Sequence, residues 1–301
     1  TDLTQHSLLL INDRSTDERI LPLLNSFAEE SKHLNIRLIN NEENIGFVQT
    51  VNMGMQYSCH DVILLNSDTE VTKNWLVKMQ NCAYSKPAVA TVTPLSNNAT
   101  LASVPDFMQE NTLPSDLNVD EYAEIVEQCC MNLFPEIPTA HGFCMYIKRE
   151  AIDCIGLFDE ETFGKGYGEE NDFSYRCLQA GYRHLLCDDT YIYHKGTQSF
   201  SKEKTELINS HIEILNKRYP LCVVKTGSFI RQNPISDIQL NIRYAINSHF
   251  RKSILFIIHD FKEVVEGNIG GTTLHVYDLM RNMQEYYNFH VLHYSRDNHI
   301  Y

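Results

Sequence analysis

Residues 61–70 read DVILLNSDTE, and that string decides the fold. Asp61-Val62-Ile63-Leu64-Leu65 is an apolar run of strand length that breaks at once into Asn66-Ser67-Asp68-Thr69-Glu70. A short apolar run bounded by turn residues is what a strand inside a sheet looks like. The same figure recurs on either side. Upstream, Leu8-Leu9-Leu10-Ile11 predicts a strand buried on both faces, leading into the polar turn Asn12-Asp13-Arg14-Ser15-Thr16-Asp17. Ile36 to Asn40 predicts another strand, followed by Asn41-Glu42-Glu43-Asn44-Ile45-Gly46. Downstream, Ala88 to Thr93 predicts one more. Helical spacing covers Ile20 to Leu34, Phe47 to Tyr57 and Thr72 to Tyr84, the last with Trp75 facing in. Strands alternating with helices of about 10–15 residues predict an α/β fold, with a mixed, mostly parallel sheet flanked by helices.

In such sheets ligands bind at the carboxyl ends of the strands. Three polar clusters fall there: Asn12-Asp13, Asn44 with Gly46, and Asn66-Asp68-Glu70. Each alone is a surface turn, because Asn, Asp and Gly fill turns anyway. Together, in register after successive strands, they form a candidate binding edge. Asp68, with Glu70 two residues on, is an oxygen site suited to Mg²⁺ or Mn²⁺, which take carboxylates plus substrate phosphates.

Leu95 to Thr139 is irregular apart from an acidic helix at Val119 to Met131; it is either a substrate loop or an inert excursion. Gly142 to Lys148 predicts a strand and Arg149 to Ile155 a short helix. Phe163 to Phe200 holds the second candidate site. Gly164, Gly166 and Gly168 bring in Glu169, Glu170 and Asp172. A helix over Asp172 to Ala180 has Phe173 and Cys177 on one face and Gly181 as its stop. A strand-like run then ends in Tyr191-Ile192-Tyr193, followed by His194. Clustered carboxylates raise one another's pKa, which suits a general base. Asp172 also fits an acid favoured by a helix N-terminus, so Glu169 and Glu170, placed on the glycine loop, are the better base candidates. His194 is either a hydrogen-bonded surface histidine or a third metal ligand.

Ser201 to Tyr219 predicts a helix with Pro220 near its end, and the pattern weakens over Cys222 to His249, with helical hints at Ile238 to Ile246. Then come a strand at Ile254 to Ile258, His259-Asp260, Gly267 to Gly271, a helix over Thr272 to Met283 and a strand over Phe289 to Tyr294. This βαβ pattern puts a domain boundary near residue 250. A lone βαβ cannot bury its faces, so the last stretch reads as the opening of a truncated second domain.

At 301 residues the length prior is about two domains. The formal net charge of −14 argues against nucleic-acid binding through phosphates, so any bound phosphate needs a metal or a local positive patch. Nine cysteines, scattered and odd in number, fit reduced thiols in a cytosolic protein better than a disulfide framework. Asn98-Ala99-Thr100 matches a glycosylation acceptor, a short motif that the cysteines argue against using. No apolar run is long enough to span a membrane and no signal peptide is visible. Thr1 and Tyr301 both look like cut ends.

Five short motifs, in order, carry a resemblance to the inverting nucleotide-sugar glycosyltransferases of family 2, which have the GT-A fold. Ile11 to Asp17 resembles that family's V-D-D-G-S-x-D nucleotide contact. Asn44-x-Gly46-Phe47 with Asn52-x-Gly54 resembles N-x-G-F…N-x-G. Leu65-Asn66-Ser67-Asp68 resembles the D-x-D signature, with Asn66 in place of the first Asp. Gly168-Glu169-Glu170-Asn171-Asp172 resembles G-E-D-x-D, whose second acid is the usual base; Glu170 is one methylene longer than that Asp. Tyr193-His194-Lys195-Gly196 with Ser199-Phe200 resembles the H-x-G…S-F of rhamnosyl- and galactosyl-type members, where the His completes a metal site.

The resemblance implies donor binding through Asn12, Asp13, Ser15, Asn44, Gly46, Asn66 and Ser67, and a metal on Asp68, Glu70 and His194. It implies Glu170 as base, with Glu169 or Asp172 as alternatives, and an acceptor site at His141, Gly142 and Gly168. The implied activity is metal-dependent, inverting hexosyl transfer from a nucleoside-diphosphate sugar to a saccharide or lipid-linked saccharide, in surface polysaccharide biosynthesis. The location implied is the cytoplasm, with peripheral contact at the inner face of the cell membrane if the acceptor is lipid-linked. A GT-A domain is expected over 1–220, without the family's first strand, then a helical linker over 221–250. Residues 251–301 are similar to the start of a family 4 GT-B glycosyltransferase, with Gly270-Gly271 opening its first loop. Two rivals remain. One is a non-catalytic nucleotide-sugar-binding or scaffold module on the same fold. The other is a nucleotidyltransferase, which normally needs a glycine- and Lys/Arg-rich phosphate loop near its start that this chain lacks.

Overall fold

The computed structural model describes residues 3–164, 166–196, 202–249, 251–258 and 271–293. Ser199, Phe200, His259, Asp260, Gly267, Gly270 and Tyr294 lie outside the described residues. The chain divides into two compact units, Thr1–Leu240 and Asn241–Tyr301.

The first unit alternates strands and helices from its start: β1 (Ser7–Asn12), α1 (Ile20–Glu30), β2 (Asn35–Asn40), α2 (Phe47–Gln56) and β3 (Val62–Leu65). β1 and β2 pair in parallel, Ser7 against Asn35 through Asn12 against Asn40, so their polar ends lie side by side. β1 is half-buried rather than buried on both faces. Among the described residues it pairs with β2 alone, and α1 buries none of its residues. The core forms further on. After β4 (Thr69–Glu70) and α3 (Trp75–Tyr84), all seven residues of β5 (Val89–Leu95) are buried. α3 starts at Trp75 rather than Thr72, because Asn74 before it takes φ +60, outside right-handed helical geometry; the Thr72 hydroxyl instead donates to the Tyr191 carbonyl. Trp75 faces in, as its spacing predicted.

After β5 come α4 (Val119–Cys129), opened by a capping box between Asn118 and Glu121, and then β6 (Glu136–Ile137), β7 (Cys144–Ile147), α5 (Arg149–Ile155), α6 (Glu160–Phe163), α7 (Glu169–Gln179), β8 (Arg183–Tyr191) and β9 (Tyr193–His194). The central sheet has the order β3-β7-β5-β8-β6. β5 and β8 are parallel, and β7 runs antiparallel to both β3 and β5. Hence β3, β5 and β8 share one direction, with β7 reversed between them and β6 reversed at the edge. The sheet is therefore mixed, with helices packed on it. Val48 and Met55 of α2, Ala151 of α5, and Phe173 and Cys177 of α7 meet Ala90, Met145 and Ile147 of the sheet in one buried cluster. Burying each of the larger of these side chains contributes roughly 1.5–3 kcal/mol.

α8 (Lys202–Arg218) is followed by α9 (Pro220–Gln232), which the weak pattern after Cys222 did not reveal. Pro220 ends one helix and starts the next; at the first helical position its missing N–H is no loss. Leu215, Tyr219 and Cys222 pack against Phe163 and Tyr175, and so fasten these helices to α6 and α7. α10 (Ser236–His249) spans the division between the units. In the second unit, β10 (Lys252–Ile258) and β11 (Tyr287–His293) pair in parallel across α11 (Gly271–Met283). All nine cysteines are free thiols. Among the described residues no helix is long and apolar enough to cross a membrane.

Candidate active site

At the ends of β1 and β2, Asp13 organises the turn. Its carboxylate accepts from Asn41 Nδ2 (2.8 Å) and from the backbone N–H groups of Ile45 and Gly46 (2.9 Å each). Asn44 Nδ2 donates to the Asp13 carbonyl at 2.8 Å. Asn12 Oδ1 accepts from the Ser15 N–H, and Asn12 Nδ2 donates to Asn40. Burial opposes ionisation of Asp13, but these hydrogen bonds outweigh it and hold the carboxyl below its usual range. Most of its acceptor capacity is therefore committed to holding the turn. Gly46 takes φ +88, and a Cβ there would lie 3.2 Å from the Gly164 carbonyl oxygen. The Asp13 turn therefore lies against the glycine loop ahead of α7.

Asp68 and His194 come together although 126 residues separate them in sequence. β4 and β9 form a two-residue antiparallel ribbon that sets Thr69 opposite His194, and the Lys195 N–H donates to the Asp68 carbonyl. His194 Nε2 lies 3.5 Å from Asp68 Oδ1. Its Nδ1 is 2.8 Å from the Asn98 carbonyl, which can only accept, so Nδ1 carries the hydrogen. In the neutral ring this leaves Nε2 with a bare lone pair on the Asp68 side. Phe143 stacks on the imidazole at 5.1 Å. Glu70 lies in the ribbon opposite Tyr193, and it is exposed. The Asn66 N–H donates to the Phe143 carbonyl, and Ser67 is exposed beside Asp68. Among the described residues no group of three or more His, Cys, Asp or Glu is arranged to hold a metal ion. A carboxylate and an imidazole nitrogen nonetheless fit a Mg²⁺ or Mn²⁺ site whose other positions are filled by substrate phosphates and water.

The acids sit differently from their expected place on a loop. α7 begins at Glu169, because Gly168 adopts φ +113 and its carbonyl already accepts from the Asp172 N–H. All three acids therefore lie in the first helical turn, where the dipole favours them. Asp172, 1% exposed, is fully engaged: Arg176, Arg218 and Tyr219 all donate to its carboxylate. Glu169 is 5% exposed, and its Oε2 meets no donor. Its carboxyl is in hydrogen-bond contact with that of half-buried Glu170. Two touching carboxyl groups need a shared proton. Burial, and then the charge of Glu170, push Glu169 well up, so Glu169 keeps that proton. Burial also raises Glu170, but the Gly168 N–H and the Glu169 hydrogen bond favour its charged form.

Residues 140–143 join these parts. The Ala140 N–H donates to Ser174 of α7, and the His141 N–H donates to Thr93 of β5. His141 itself is half-buried, its ring near Thr100, and burial pushes it down to about 4, so it is a neutral imidazole at pH 7. Space is open around Gly142. Sequence reasoning missed Asn97, Asn98, Phe143, Arg218 and Tyr219. The two asparagines follow a buried strand just as the three recognised clusters do, and that signal was available. Nothing local marks Arg218 or Tyr219.

The mixed α/β sheet, with polar turns at its strand ends, has the architecture of a GT-A fold. The family described as Glycosyl transferase family 2 matches residues 4–156, half of the chain, and the chain belongs to that family. Among solved structures it is similar to the mannosyltransferase PcManGT from Pyrobaculum calidifontis, in complex with GDP-Man and Mn²⁺ (TM-score 0.53, 12% identity, 94% of this chain and 72% of that one). It is also similar to GalNAc-T7 with UDP, GalNAc and Mn²⁺ (TM-score 0.48, 18% identity, 81% of this chain) and spans 52%, about half, of that chain. No curated protein matches the chain.

Proposed function

We propose that the first unit is a metal-dependent inverting glycosyltransferase that moves a hexose from a nucleoside-diphosphate sugar to a saccharide acceptor. The observation that carries this reading is the approach of Asp68 and His194 to 3.5 Å, with the His194 Nδ1–H tied to a carbonyl. In family enzymes with a bound divalent ion, that ion neutralises the departing diphosphate. Asp68 and His194 are the residues that would hold it here. Glu170 is the base. It removes the proton from an acceptor hydroxyl; the oxygen forms its bond to the anomeric carbon from the face opposite the leaving group. The bond from that carbon to the diphosphate oxygen breaks, and the nucleoside diphosphate leaves with the electron pair, inverting the centre. Asn12, Asp13, Ser15, Asn44, Gly46, Asn66 and Ser67 line the donor side, and His141, Gly142 and Gly168 the acceptor side.

The setting we propose is surface polysaccharide synthesis in the cytoplasm, with membrane contact only through a lipid-linked acceptor. The parallel βαβ of the second unit supports reading residues 251–301 as part of a family 4-like GT-B transferase domain, after a GT-A domain over 1–220 and a helical linker.

The test combines binding and turnover. Mn²⁺ with a nucleoside diphosphate should raise Tm, and a panel of nucleotide sugars should contain one donor that is consumed. Glu170→Gln should cut transfer by about 10²–10⁴ while leaving the Tm shift intact. Transfer at the parental rate would remove Glu170 from its role; a Tm shift without turnover of any donor would favour a binding module.

A further inference from the structure

We propose that Asn97 is a positioning residue that clamps His194, and that residues 96–111 serve as its mount; the inference rests on the reading of Asp68 and His194 as a metal pair. Asn97 grips one residue with both ends of its amide. The His194 N–H donates to Asn97 Oδ1 at 2.7 Å, and Asn97 Nδ2 donates to the His194 carbonyl at 3.0 Å. His194 therefore has β4 on one edge and the Asn97 amide on the other, so a single side chain does what a neighbouring strand would do. A side-chain amide offers an acceptor and a donor on two adjacent atoms, matching the N–H and C=O of one residue; a carboxylate would meet the carbonyl with a second acceptor. The next residue, Asn98, supplies the carbonyl that holds Nδ1 at 2.8 Å. Backbone and ring of His194 are thus set by two consecutive residues.

Those two residues are themselves held. Asn97 is 3% exposed. Its carbonyl accepts from the Asn111 N–H at 2.8 Å. Asn111 Nδ2 donates to the carbonyls of Asp106 and Gln109, and Asn111 Oδ1 accepts from the Asp106 N–H. The Ser96 N–H donates to Ala102, and the Val104 N–H returns to Ser96. Much of the polar bonding of this irregular stretch goes to its own shape and to His194. Hydrogen-bonding partners of metal-bound histidines typically change metal affinity by about 10–100-fold.

The test uses the full chain and Mn²⁺ alone, with binding read from the free-ion EPR signal and the His194 tautomer from its ring-nitrogen NMR shifts. Asn97→Leu should weaken Mn²⁺ binding about ten-fold or more and mix the tautomers. In a His194→Ala background the same change should have no further effect. Asn97→Asp keeps the acceptor for the His194 N–H, loses the donor, and should fall between; it is the folded variant if Asn97→Leu does not fold. Parental Mn²⁺ affinity in Asn97→Leu, or an equal loss with His194 already removed, overturns the proposal. If the parent binds no Mn²⁺, the metal reading fails on its own. The clamp is then judged by the tautomer: Nδ1–H in the parent and mixed in the variant upholds it, and the same form in both overturns it.

Discussion

Glu169 and Glu170 are neighbours in sequence with opposite duties, and the difference is one of surroundings. Glu169 is buried with an oxygen that meets no donor, so its neutral form is favoured; Glu170 is half-buried and receives the Gly168 N–H. An acid whose folded pKa is raised contributes stability below its ordinary range, and that contribution is lost as pH climbs through the raised value. Stability should therefore fall as pH rises above the usual carboxyl range, and Glu169→Gln, a permanent mimic of the protonated acid, should flatten that fall. Urea midpoints at several pH values measure it, and equal pH slopes in parent and variant would refute the shared proton. As the proposed base, Glu170 would act in its ionised form. Its raised pKa puts the acidic limb of kcat/KM above the ordinary carboxylate range, and that limb should stay in place in Glu169→Gln, whose neutral amide still offers Glu170 a donor. The carboxylates themselves were readable from their cluster. Which of them keeps the proton was not, because burial and donors decide it.

At the scale of elements, α7 shows how a glycine sets a site. The pattern from Phe173 to Cys177 marked the helix, yet its start lay three residues earlier than the apolar spacing indicated. Gly168 permits that start by taking φ +113, a conformation strained for any residue with a Cβ. A Cβ there would also lie 3.2 Å from the Phe163 ring. Gly168→Ala should lower stability by about 1–2 kcal/mol and should reduce transfer more than donor binding, because it displaces the turn that carries Glu170. Calorimetry and a KM-against-kcat comparison check this; a variant with parental Tm would show that the loop tolerates the side chain. The strands were legible in type and order. Their burial was not: the apolar run Leu8 to Ile11 is half-buried, while Val89 to Leu95, with Thr91, Thr93 and Pro94 among its residues, is buried throughout. Position in the sheet, between β7 and β8, decides burial, and no single strand states its own position.

Across the whole first unit, the turn that carries Glu170 depends on a residue far along the chain. Arg218, at the end of α8, donates to Asp159 (2.7 Å), to the Thr162 hydroxyl (2.7 Å) and to Asp172 (3.3 Å). These partners stand on both sides of the glycine loop, so one guanidinium pins its two ends. Arg218→Met keeps the apolar stem and removes the donors. The expected loss is about 2 kcal/mol, moderated because Arg176 and Tyr219 still hold Asp172. A lower urea midpoint with an unchanged m-value reports it, and no change in midpoint would mean solvent replaces the contact without cost. Sequence alone determined the alternation of strands and helices, the polar strand ends and the short motifs, because hydrophobic period and turn chemistry are local. Only the tertiary structure joined Asp68 to His194, gave His194 its two asparagines and bound Asp172 to Arg218. Those relations depend on strand pairing, register and burial, which link residues distant in the chain and leave no mark in the spacing of either partner.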